Sequence, residues 1–158
     1  MRALLLLALL GFVVCLSVHA VAWAGSTIEP GPVLLALFVG LMAVWIPAVA
    51  LQNKTRRGGE ILWEAAPAWM RMLCKMLFVY GVVLFIALGV IRWRSGNPSQ
   101  TRDGTYVVRH GKTAQPISET TYRHMQNQEL IFFSGWLLMF YFSATTAFAS
   151  GVVIANRS

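Results

Sequence analysis

Four long apolar blocks constrain this chain more than any other feature. Residues 3–24, 33–51, 72–91 and 130–154 hold a single formal charge among them, Lys75. Each is close to the roughly 20 residues that a helix needs to cross a bilayer core of about 30 Å. The segments between them are too short for a soluble domain of ordinary size. Composition agrees: 57% of the 158 residues are hydrophobic and only 12% charged, whereas soluble domains carry roughly 25% charged residues. The expected fold is an all-α polytopic membrane protein, one membrane domain over residues 1–158 with four transmembrane helices.

The first block has two readings. Met1-Arg2 before an apolar run, with Ala22-Trp23-Ala24 ahead of Gly25, has the layout of an export signal. Its uncharged length of 22 residues exceeds the usual signal core, which favours an uncleaved span. Both readings put residue 25 across the membrane. With the N-terminus inside, Lys and Arg divide seven inside to six outside, which barely discriminates. Two features tip the balance. The 52–71 connection is denser in positive charge than the 92–129 loop, and the first turn holds Glu29 but no Lys or Arg. Both termini are therefore expected in the cytoplasm and residues 92–129 in the periplasm, with the chain multi-pass in a bacterial inner membrane.

A net charge of +7 invites a nucleic-acid reading. All but one of the thirteen Lys and Arg lie outside the apolar blocks, as flanks of spans do, and no basic face interleaved with aromatics is present. Anionic lipid headgroups are the simpler partner, with Lys54, Arg56 and Arg57 the densest cluster. Cys15 and Cys74 lie inside apolar blocks without a CxxC pair or metal-ligand spacing, so they read as small hydrophobes. His19 is the one histidine in a block, and hydrogen-bonded packing is its expected role rather than haem ligation. No block holds an Asp or Glu for a proton relay. Catalytic, cofactor and metal residues are all expected to be absent.

Within the blocks, Pro47 predicts a kink and Lys75 snorkels from the first turn of the third span. Trp69 and Trp93 flank that span as interfacial belts. The last block carries a ridge of small residues, Ser143, Ala147, Gly151 and Ala155, at four-residue spacing. That candidate packing face suits close helix approach, within the chain or between copies. Residues 60–66 suggest a short interfacial helix with Trp63 at the headgroups.

The 92–129 loop is the only room for extramembrane structure. Residues 95–99 read as a linker. Tyr106-Val107-Val108-Arg109 has strand propensity, His110-Gly111 turns, and Lys112-Thr113-Ala114 returns as a hairpin partner. An isolated hairpin is marginal in water and must rest on something. Ser118 and Glu119 start a helix with no breaker until the fourth span, about 37 residues in all, with Ser134-Gly135 its weakest point. Arg109, His110 and Lys112 form the candidate contact tip of the loop. Arg109-His110-Gly111 also resembles the Arg-His-Gly signature of histidine phosphatases, which would make His110 the phosphorylated residue and Arg109 its phosphate ligand. That chemistry needs a large α/β domain and a second histidine, and the loop has only His124 to offer, so the match is read as coincidence.

Residues 67–71, Tyr80 and Phe85, with Asp103-Gly104-Thr105-Tyr106, His110-Gly111, Ile117-Ser118, Tyr122 and Phe133-Ser134-Gly135-Trp136, are similar to a pattern in small multi-span bacterial inner-membrane proteins. The resemblance covers roughly residues 67–141. It implies a bacterial inner membrane and a loop with its own fold, and it carries no activity or functional residues.

The functional expectation is a non-enzymatic accessory protein, associating through helix packing and its basic loop with a membrane partner or a second copy. The alternative is a small transporter or channel subunit whose path forms in an oligomer. The polar groups such a path would use are Ser17 and His19 in the first block and Ser143, Thr145, Thr146 and Ser150 in the last.

Overall fold

The computed structural model describes residues 1–25, 28–54, 58–111 and 113–156, the side chains of Arg92 and Trp93 excepted. The chain is mostly helical. Its elements run α1 (Arg2–Trp23), α2 (Pro30–Gln52), α3 (Gly58–Ala65), α4 (Ala68–Ser95), β1 (Asn97–Gln100), β2 (Tyr106–His110), β3 (Thr113–Pro116) and α5 (Glu119–Ala155). Helices α1, α2, α4 and α5 are each long and apolar enough to cross a membrane.

α5 is the central post. All four other helices pack on it, and its own buried residues run from Leu130 to Gly151. Two contacts fix the ends of the bundle. Asn127 Nδ2 donates to Ala22 O at 2.7 Å near the start of α5, and Gly151 sits against Met1 and Leu51 near its finish. The sheet and the C-terminal end of α1 thus share one end, and α3 and Met1 the other.

The outer faces of the remaining helices are apolar and open. Leu6, Leu35, Met72 and Ile86 are all more than half exposed. A chain stable in water seldom presents an apolar surface this continuous.

Local chemistry accounts for the element boundaries. Pro30 begins α2 at the first turn, where its missing N–H would have no intrahelical partner anyway, so the helix starts within the turn-rich run Glu29-Pro30-Gly31-Pro32. α2 then runs through Pro47. α5 has the expected N-cap: Ser118 Oγ accepts from the Thr121 N–H at 3.2 Å. It does not break at Ser134-Gly135. Ser134 Oγ bonds the carbonyl of Leu130 within the same helix, and Gly135 lies where an added Cβ would overlap Leu84. The glycine serves a close approach, not a bend.

The largest departure from the sequence expectation is in the loop. A two-stranded hairpin becomes a three-stranded antiparallel sheet of order β1-β2-β3, because residues 97–99, which read as linker, and Gln100 pair with β2. Gly96, at φ +74°, turns the chain out of α4 and into β1; a side chain there would meet Arg109 O at 2.7 Å. Pro98 is tolerated because β1 is an edge strand. Weak intrinsic propensity in β1 is overridden by pairing with Val107 and Val108, both buried although they point to opposite faces of β2.

Candidate functional site

Three regions hold the groups with chemical or binding potential. The first is the sheet. Tyr106 stacks on Tyr122 of α5 with ring centroids 4.7 Å apart, and Ile117 N donates to Tyr106 O at 2.9 Å just after β3. His110 Nε2 reaches back 3.0 Å to Arg94 O, so the ring donates through that nitrogen. The β1–β2 turn is closed by Thr101 N–H donating to Thr105 O and Gly104 N–H to Thr101 O. The hydroxyl of Thr101, the backbone at Asp103 and the Thr105 hydroxyl hold the Asp103 carboxyl below its ordinary range. The sheet therefore rests on α5, as the marginal stability of a lone hairpin requires.

Its outer surface is open. Arg109 and His110 are exposed, β3 is exposed along its whole length, and only one of its edges is paired. Lys112 lies outside the described residues, as do Arg56 and Arg57 of the other basic cluster. In the phosphatase-like tripeptide His110 bonds backbone, and the loop's other histidine, His124, bonds Gln128 one turn along α5.

The second region is a polar layer inside the bundle, centred on His19. Its Nδ1 lies 2.7 Å from Ser134 Oγ and its Nε2 lies 2.6 Å from Tyr80 OH, with Trp23 Nε1 at 3.1 Å. Ser134 gives its own hydrogen to the Leu130 carbonyl, so it accepts from His19 Nδ1–H. Nε2 is then the acceptor, facing two donors, the Tyr80 hydroxyl and the Trp23 indole. The opposite tautomer would set an N–H against the Trp23 N–H. The indole also lies 3.3 Å from Tyr80 OH, and Cys15 Sγ donates to Ser134 O at 3.3 Å. One neutral imidazole thus ties α1 to α4 and α5. The sequence marks His19 as packing but gives no sign that its partners are Tyr80 and Ser134, which lie 61 and 115 residues away.

The small-residue ridge of α5 faces the rest of the chain. Ala147 and Gly151 are buried and Ser143 half-buried, while Ala155 is exposed at the helix end. Ser143 and Ala147 line a small cavity of about 270 Å³ with Trp45, Gly59 and Trp63, and Gly151 touches α1 and α2 through Met1 and Leu51. The nearby hydroxyls turn inward on their own helix: Ser143, Thr145, Thr146 and Ser150 each donate to the carbonyl four residues earlier, at 2.8–2.9 Å.

The third region is a lateral groove of about 730 Å³ between α2 and α4, floored by α5. All twelve residues lining it are leucine, methionine, phenylalanine or tryptophan. Above it, towards the sheet, a second cavity of about 270 Å³ shares Phe132 and Phe133 with the groove and adds Ser95, Gln128 and Glu129. Trp136, on the groove wall, has an indole N–H with no acceptor among the described residues. Among those residues no group of three or more His, Cys, Asp or Glu is arranged to hold a metal ion.

No family model, curated protein or solved structure matches this chain.

Proposed function

We propose that this chain is a non-enzymatic, multi-pass membrane protein of accessory type, which meets its partner through the sheet. The observation carrying this reading is that a three-stranded sheet is fastened to the central helix while its outer strand and Arg109 stay exposed. A sheet edge left unpaired is a template for another chain unless covered. Fastening it to α5 removes much of the ordering cost of binding.

The four helices of spanning length and their apolar outer faces support a membrane setting. The buried positions of Ala8, Cys15, His19 and Ala22 favour α1 as a retained span, since cleavage would leave a seam of the bundle bare. With α1 retained, charge density in the 52–71 connection favours cytoplasmic termini and a periplasmic sheet in a bacterial inner membrane. The transporter reading draws less support, because the α5 hydroxyls that would line a path already donate within their helix.

Photo-crosslinkers placed at Arg109 and Ala114 in intact membranes test the proposal. One defined membrane protein should be captured at both positions, and the double substitution Arg109→Ala with Lys112→Ala should reduce capture. Unchanged capture and phenotype after that neutralisation would remove the sheet's role. Solute flux in reconstituted vesicles that is lost on Thr146→Val would establish the transporter reading instead.

A further inference from the structure

The His19 layer plays no part in the partner reading above, yet its bonding hangs on a single proton. We infer that it is an acid-released clasp, which holds α1 to α4 while the imidazole is neutral and lets go when the ring is charged.

The bonds on the ring are directional. Nδ1–H donates to Ser134 Oγ at 2.7 Å, because that hydroxyl gives its own hydrogen to the Leu130 carbonyl. Nε2 accepts from the Tyr80 hydroxyl at 2.6 Å and from the Trp23 indole at 3.1 Å. A proton on Nε2 turns that acceptor into a donor. Tyr80 can then only accept from the ring, and its own hydrogen has no acceptor left in the layer. The Trp23 N–H is set against another N–H and keeps only its longer contact, 3.3 Å to the Tyr80 oxygen.

No counter-charge is at hand to offset this. The side chains around the ring are Trp23 from α1, Tyr80 from α4 and Ser134 from α5, with Cys15 bonded to Ser134 O one turn earlier on α1. α2 brings only Val33 and Leu34 to the adjoining apolar cluster. Among the described residues no carboxylate or cation bonds any of these groups. Glu29 and Glu129 line separate cavities beside the sheet, Arg123 pairs with Glu119, and Asp103 accepts from Thr105. A buried imidazolium without an anion is strongly disfavoured, so the proton is taken up only once the layer has opened.

The link at stake is the one between α1 and α4. Both pack on α5, and their backbones hardly approach each other. The bonds from Tyr80 to His19 and Trp23 supply the polar tie between them. His19 lies one turn before the end of α1, at the sheet end of the bundle, and Trp23 beside it is exposed. The proton therefore comes from the side on which the sheet lies. α4 leads through Gly96 into β1, so release reaches the sheet through α4, while Asn127 still bonds α1 to α5.

Because only the opened layer takes up the proton, the ratio of open to closed rises about tenfold for each pH unit below about 6.5, the ordinary histidine value. The full chain in lipid nanodiscs tests this in two ways. Nitrogen NMR of histidine-labelled protein should find His19 neutral, with its hydrogen on Nδ1, at about pH 7.5. Spin labels on Val21→Cys of α1 and Val83→Cys of α4, both exposed sites, report the separation of the two helices, with Cys74→Ala to avoid stray labelling. A longer distance should gain about thirtyfold on the closed one between about pH 7.5 and about pH 5. His19→Gln should make the distribution independent of pH, and Tyr80→Phe should populate the longer distance already at neutral pH. The NMR arm needs no substitution, which keeps the test independent of how the variants fold. A hydrogen on Nε2 at neutral pH, a single distance persisting in acid, or the same acid response in His19→Gln would each overturn the inference.

Discussion

The seam where α1 and α2 meet α5 and the face between α2 and α4 are both apolar and behave as opposites. In the seam, glycine admits the ring of Tyr141. A Cβ at Gly11 would overlap that ring, one at Gly40 would lie 2.7 Å from its hydroxyl, and the hydroxyl donates to Leu37 O at 2.7 Å. The His19 layer then bonds α1 to α4 and α5. Across the groove, by contrast, every lining side chain is large, and α2 and α4 stand apart with Leu35 and Phe38 more than half exposed. In a bilayer, lipid tails are as apolar as leucine, so burial alone cannot draw helices together; close fit and hydrogen bonds must do so. Hydrophobicity therefore decides which segments enter the membrane, and side-chain size and polarity decide which of them touch.

The strongest way to break this comparison is to fill the seam. Gly11→Ala should destabilise the purified chain by about 1–3 kcal/mol, the usual range for overpacking, read from equilibrium unfolding in mixed micelles. Adding Tyr141→Leu should recover part of the loss. If Gly11→Ala is neutral on its own, the seam is not close-packed.

A smaller effect is expected from the polar layer. A double-mutant cycle of His19→Leu and Tyr80→Phe should give a coupling of about 0.6 kcal/mol, and no more than about 1.7, as found for side-chain hydrogen bonds between membrane helices. Zero coupling would mean that the imidazole does not hold α4 to α1.

The smallest effect belongs to the open face. Leu35→Ala and Phe38→Ala should each change stability by no more than about 0.5 kcal/mol, as substitutions away from packed contacts do. A cost comparable to that of Gly11→Ala, in the same unfolding assay, would make the groove part of the folded core and erase the contrast.

Much of the architecture was legible before any coordinates. The blocks at 3–24, 33–51, 72–91 and 130–154 match four helices long and apolar enough to span: α1 coincides with its block to within a residue at each end, α2 and α4 extend up to four residues beyond theirs, and α5 begins eleven residues earlier, towards the sheet. Ser118 as N-cap and the absence of a breaker marked the 37 residues of α5. The hairpin's central strand was also readable, from Tyr106-Val107-Val108. Strand β1 was not, because Asn97-Pro98-Ser99-Gln100 has no strand character of its own and acquires its conformation by pairing. Ser134-Gly135 was misread as a weak point, because serine and glycine carry the same local signal whether a helix bends or another helix presses against it.

The sequence by itself determined the number of apolar helices, the limits of the long one and the need for support beneath the sheet. These follow from local quantities: the length of an apolar run, a capping hydroxyl, the marginal stability of two strands. Only the tertiary structure decided that α5 stands at the centre, that His19 finds Ser134 and Tyr80, and that α2 and α4 leave a groove between them. Those depend on which helix faces come together. In an apolar solvent that choice is governed by shape and by a few hydrogen bonds between residues far apart in the chain, which hydropathy along the sequence does not encode.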